Sequence, residues 1–170
     1  MKWLALAALG TALLAACAGS STANEPGAPA TGVPPACADG ETVVFACRTG
    51  PGHGVALCGS GDASRMRYLE SGPAAVTWPA SGAARSTELR SGSLMYSGGG
   101  GAYLRFDREG HTHTVYTGIG RGWEKAGVLV EENGRTVREL TCTGEVTSLI
   151  GPALFERAAI PADEAGFEIP

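Results

Sequence analysis

No stretch of the chain before residue 146 sustains a 3.6-residue apolar period. Short β-rich runs separated by turn chemistry recur instead. Glu41–Cys47 and Gly54–Cys58 flank the turn Thr49-Gly-Pro-Gly-His53, and Arg65–Leu69 follows, with weaker segments at Val76–Trp78 and Ser86–Leu89. The second half reads more clearly. Leu104 and Phe106 alternate with Tyr103 and Arg105, a turn at 107–110 leads into Thr112–Thr117, and Ala126, Val128 and Val130 alternate again. Asn133-Gly134 then supplies a hairpin turn, because both residues accept positive φ, and Val137–Cys142 returns. From Thr147 to Ile160 a helical period does occur: Leu149, Ile150, Ala153, Leu154 and Ala158 share a face and Pro161 ends it. The expected fold is all-β, a small antiparallel sandwich or barrel over residues 37–146, with a short helix and tail over 147–170. The turn at 107–110 can take three or four residues, and the two choices place opposite sets of side chains beside Leu104.

The first 36 residues belong to export rather than to the core. Met1-Lys2 followed by an apolar run of about 13 residues has signal-peptide length, too short to span a bilayer. Leu14-Ala15-Ala16-Cys17 resembles the bacterial lipobox, which makes residues 1–16 a lipoprotein signal peptide and Cys17 the lipidated first residue. Ala18 stands where an aspartate would favour inner-membrane retention, so the expectation is an outer-membrane anchor facing the periplasm. Residues 17–36 then form the lipidated end and a Pro/Ala/Gly/Ser tether. Lys2 is the only charge in 1–16, so its removal takes 13 basic residues to 12 against 17 acidic ones, a net charge of −5. With no basic stripe, nucleic acid is not an expected partner.

Cys37, Cys47, Cys58 and Cys142 are an even set in an exported chain, and two disulfides are expected. Three pairings are possible. The hairpin around residue 51 favours Cys47–Cys58, leaving Cys37–Cys142 to tie the first strand to the last. No CxxC pair is present and the histidines lie elsewhere, so no metal or other cofactor is expected.

Catalytic signatures are missing from the chain. There is no Gly-x-Ser-x-Gly elbow, the four-glycine run lacks a phosphate-loop ending, and Gly118, Gly120 and Gly122 are misplaced for a dinucleotide fingerprint. His111 and His113 share a strand face but have no third ligand beside them in sequence. The unusual feature is a pair of Gly-rich segments. Ser97-Gly98-Gly99-Gly100-Gly101 precedes one strand of a hairpin and Gly118–Trp123 follows the other, so both sit at one end of the sheet with Lys125 just beyond. Glycines there either relieve crowding, with Trp123 covering the core edge, or make thin loops that enter a partner's cleft while Tyr103, Arg121, Trp123 and Lys125 anchor them.

At these residues the chain resembles the membrane-bound and periplasmic inhibitors of c-type lysozyme. The resemblance rests on the lipobox at Cys17, on Cys37-Ala-Asp-Gly-Glu-Thr-Val-Val, on Tyr96-Ser-Gly-Gly-Gly-Gly-Ala-Tyr103, on Trp123-Glu-Lys125-Ala-Gly and on Leu140-Thr-Cys142. It implies a non-enzymatic lipoprotein that blocks a cell-wall glycosidase by placing a serine and a lysine, here Ser97 and Lys125, against the catalytic carboxylates. Aligned from Tyr103, the family's inner serine falls on Gly99. The stretch Cys47–Leu94 is longer than the family's core, and the helix after Cys142 is extra. Two other roles fit the same envelope lipoprotein: immunity against a delivered peptidoglycan hydrolase, and a structural or assembly function without an enzyme target.

Overall fold

The computed structural model describes residues 33–170. The expected signal segment 1–16, lipidation at Cys17 and the tether as far as residue 32 lie outside the described residues. The rest is an antiparallel β structure of two sheets with one short helix, as the patterning predicts. One sheet has the order β11-β1-β2-β3-β4, with β5 also on β3: Thr42–Gly50 (β1), His53–Gly59 (β2), Arg65–Ser71 (β3), Val76–Trp78 (β4), Ala84–Arg85 (β5) and Thr143–Ser148 (β11). The other is a meander, β10-β9-β8-β7-β6: Arg90–Tyr96 (β6), Gly99–Arg108 (β7), His111–Gly120 (β8), Trp123–Glu132 (β9) and Arg135–Thr141 (β10).

Alternation decides what each face of the meander does. Ala102, Leu104, Phe106, Val115, Val128 and Val130 point inward and pack with Phe45, Val55, Leu57, Met66 and Tyr68 of the opposite sheet. Inside that core Phe106 stacks on Trp78 at 4.2 Å and on His113 at 5.0 Å. At one end Arg138 of β10 crosses to Glu70 of β3, its Nη2 donating to Oε2 at 3.0 Å, while the Tyr68 hydroxyl donates to the same carboxylate. The opposite parity, Tyr103, Tyr116 and Leu129, forms a second small cluster with Leu94, Phe167 and Ile169 on the outer face.

Four expectations are corrected. The cysteines pair Cys37–Cys58 and Cys47–Cys142, each with Cα atoms 5.6 Å apart. In the β1–β2 hairpin Cys58 lies opposite Val43 and Cys47 opposite Val55, an offset of about 10 Å along the strands that no disulfide bridges. The 107–110 turn has neither three nor four residues. Arg108 pairs with His111 around Glu109-Gly110, whose φ values of 51° and 79° are those of a two-residue hairpin turn, the same solution Asn133-Gly134 adopts. Ser86–Leu89 is not a strand, since Ser86–Glu88 forms a 3₁₀ turn.

The fourth correction concerns the helix, which spans only Pro152–Arg157. Residues 143–148 are instead strand β11 on β1, so the sheet continues past residue 146. The helical spacing of Leu149 and Ala153 was incidental, for both are exposed. Ile150, Leu154, Ala158 and Ile160 are the buried members.

Candidate functional site

The two Gly-rich segments do meet, but less of each is loop than the sequence suggests. Gly99–Gly101 lie within β7 and Gly118–Gly120 within β8. Only Ser97-Gly98 and Arg121-Gly122 are turns, each two residues wide, with positive φ at Gly98 (79°) and Gly122 (81°). The Arg121 N–H donates to the Ser97 carbonyl at 3.1 Å, which joins the two tips side by side. Ser97, Gly98, Arg121 and Gly122 are all exposed. Among the described residues no hydrogen bond or ion pair engages the Arg121 guanidinium.

The glycines behind the tips have specific work. A Cβ on Gly99 would stand 2.0 Å from the Ile119 carbonyl oxygen, so the β7–β8 approach there requires glycine. The Tyr103 ring lies over Gly92, its cross-strand partner, and the Trp123 ring lies over Gly120 in the same way. Trp123 also meets Tyr96 edge-on at 5.0 Å. Tyr103 does not project with the tips. It is 1% exposed on the outer face, its hydroxyl donates to Asp163, and burial followed by that contact pushes its phenol up to about 12. Trp123 is half-buried. Lys125 starts about 7 Å behind it along β9, and its ammonium donates to the Pro170 carbonyl oxygen instead of extending past the tip.

Sequence reasoning missed the apolar part of the site. Met95 is 90% exposed and Ile119 53% exposed, and they flank Gly100 across three paired strands. Both have inward parity, but they lie where the meander outruns the opposite sheet. A cleft of about 340 Å³ opens beside Ile119, bounded also by Gly100, Thr117, Glu124 and the Ile150-Gly151-Pro152 approach to the helix. Nothing local marks Met95 or Ile119 as surface residues, because the relative lengths of the two sheets decide it.

The histidine pair sits at the other end of the meander. His113 is buried against Phe106 and Tyr68, and its Nδ1 has no partner among the described residues. Desolvation first, then the nearby Arg138 and Arg108 charges, bring its imidazole down to about 4. Cys37, Glu41 and Cys58 cluster closely enough for metal ligation, but the two sulfurs are bonded to each other and Glu41 is paired with Arg67 at 2.7 Å.

In comparisons with known proteins, no family model, no curated protein and no solved structure matches this chain.

Proposed function

We propose that this protein is a periplasm-facing lipoprotein that binds and blocks a cell-wall glycosidase through the joined hairpin tips of its five-stranded sheet. The observation that carries this reading is the pairing of two exposed, two-residue, glycine-containing turns beside the exposed Met95 and Ile119. Gly98 and Gly122 keep the leading edge narrow enough to enter a polysaccharide cleft. Arg121 presents a fork of donors suited to carboxylates, and a glycosidase cleft holds two. Met95 and Ile119 supply apolar contact next to that charge, the composition expected of a protein-binding centre. Within this reading Arg121 is the leading cation and Ser97 the available hydroxyl, while Lys125 acts from behind them or not at all.

The test is peptidoglycan lysis by c-, g- and i-type lysozymes with and without purified, oxidised residues 18–170. Stoichiometric inhibition of one class is expected, weakened at least tenfold by Arg121→Ala. Absence of inhibition of every class at micromolar excess would overturn the lysozyme reading. Pull-down from the periplasm would then separate immunity against a delivered hydrolase from an assembly role.

A further inference from the structure

The last ten residues do not trail from the helix. They cross the outer face of the meander, which an isolated sandwich would turn to solvent. Asp163 starts the crossing: its N–H donates to the Ser91 carbonyl at 2.8 Å, and its carboxylate pairs with the buried Arg105 and, at 3.7 Å, with Arg90. Phe167 then settles on Tyr103 and Tyr116, with ring centroids 5.1 and 5.6 Å away. Ile169 fills a notch where a Cβ on Gly118 would stand 2.5 Å from its Cδ1 and one on Gly101 3.3 Å away.

The segment begins with a parallel bridge between Ala162 and Ser91 on β6, and beyond it the hold changes. Beyond Ala165, the sheet addresses its backbone with side chains from three strands. Arg105 of β7 donates to the Gly166 carbonyl at 3.1 Å, the Tyr96 hydroxyl of β6 accepts from the Ile169 N–H at 3.3 Å, and Lys125 of β9 donates to the Pro170 carbonyl. Extended peptides are generally received through main-chain hydrogen bonds for affinity and pockets for alternate side chains for specificity; here side chains of the sheet supply the hydrogen bonds, and Phe167 and Ile169 fill the pockets. The glycines at 101 and 118 give the groove depth in mid-strand, where ordinary residues would fill it.

We propose that the outer face of the five-stranded sheet is a peptide-binding groove. It takes an extended segment of a partner protein bearing an acidic residue, an aromatic residue four positions on and a branched aliphatic residue two beyond that, and residues 163–170 occupy it in cis. The partner segment displaces this strap, which frees Lys125. The inference does not depend on the glycosidase reading: the groove lies on the outer face of the sheet and the tips at its end, with Lys125 the residue that touches both.

The experiment uses the full chain with Phe167→Ser and Ile169→Ser, which empties both pockets, and a fluorescent peptide of the sequence Pro161–Pro170. The expected result is binding at least tenfold tighter to the emptied chain than to the unaltered one, lost when the peptide carries serine in place of phenylalanine, and lost again with Gly118→Val in the emptied chain. Peptides selected from a random display library on the emptied chain should share the acidic, aromatic and aliphatic spacing. If the emptied chain does not fold cooperatively, excess peptide added to the unaltered chain should shift the Ile169 methyl resonances towards those of a free strap. No binding and no displacement, binding that ignores the phenylalanine, or a selection without consensus would each overturn the proposal.

Discussion

Arg105 and Asp163 are paired across 58 residues of sequence, with side chains only 9% and 3% exposed, and this contact fastens the C-terminal strap to the meander. Arg105 also donates from Nε to Thr114 at 3.0 Å and lies over the rings of Tyr103 and Phe167. Removing the carboxylate strands a guanidinium whose water has been excluded, and breaking such a buried pair costs about 3 kcal/mol. Asp163→Ala should therefore destabilise by roughly that amount in urea unfolding. Arg105→Met, which removes the charge and keeps the bulk, should cost less when made together with Asp163→Ala than the two single changes summed. Additive losses would mean that the two residues act separately.

The pH dependence has a window of its own. His113 is held neutral at about 4 in the folded chain, chiefly by burial, whereas the unfolded chain takes up the proton near 6.5. The depressed imidazole leaves stability unaffected above 6.5. Between 6.5 and 4 the unfolded state gains protons that the folded state does not, and stability falls by roughly 2–3 kcal/mol over that interval. Glu41, lowered first by its Arg67 hydrogen bond, works below the ordinary carboxyl range: its contribution is present above 4.5 and is lost as pH drops further. Urea midpoints from pH 7 to 5 thus isolate the histidine, and His113→Phe should flatten the slope there. A variant with an unchanged slope would assign the acid sensitivity to other groups.

How far such features can be read from the chain depends on how local they are. The Asn133-Gly134 hairpin was legible because the two turn residues alone dictate it. The Glu109-Gly110 turn was not, because glutamate at φ 51° is uncommon and only the pairing of Arg108 with His111 forces it. The proximity of Ser97 to Arg121 followed from hairpin connectivity. The roles of Tyr103 and Trp123 did not, since each ring covers a glycine on the neighbouring strand, and a cross-strand position is invisible until the register is known. The apolar spacing from 147 to 160 misled because Leu149 and Ile150 lie in the link after strand β11, whereas Leu154 lies in the helix and Ala158 caps it. Both satisfy one period without forming one element.

The two disulfides should contribute unequally. Cys47–Cys142 closes a sequence separation of 95 residues and ties β1 to the junction between β10 and β11, whereas Cys37–Cys58 closes 21. In the chain-entropy treatment these stabilise by about 4–5 and about 3 kcal/mol. Replacing Cys47 and Cys142 together by alanine should lower the denaturation midpoint more than replacing Cys37 and Cys58. The opposite order would show that the shorter loop carries native contacts that outweigh closure entropy.

The tips give the sharpest separation of binding from folding. Arg121, Met95 and Ile119 are exposed, and substitutions at such positions leave stability within about 0.5 kcal/mol. A charged group central to an interface loses about 2 kcal/mol or more on truncation, a factor of about thirty in affinity. Arg121→Ala should accordingly weaken inhibition of the target glycosidase by that factor with unchanged thermal unfolding, and Ile119→Asp should do so through lost apolar contact. Lys125→Ala should have the smaller effect, because its ammonium is engaged by the Pro170 carbonyl and it starts behind Trp123. If Lys125→Ala proves the more damaging change, the strap must leave before the target binds. Deleting residues 164–170 should then tighten inhibition, because the lysine no longer has an internal partner.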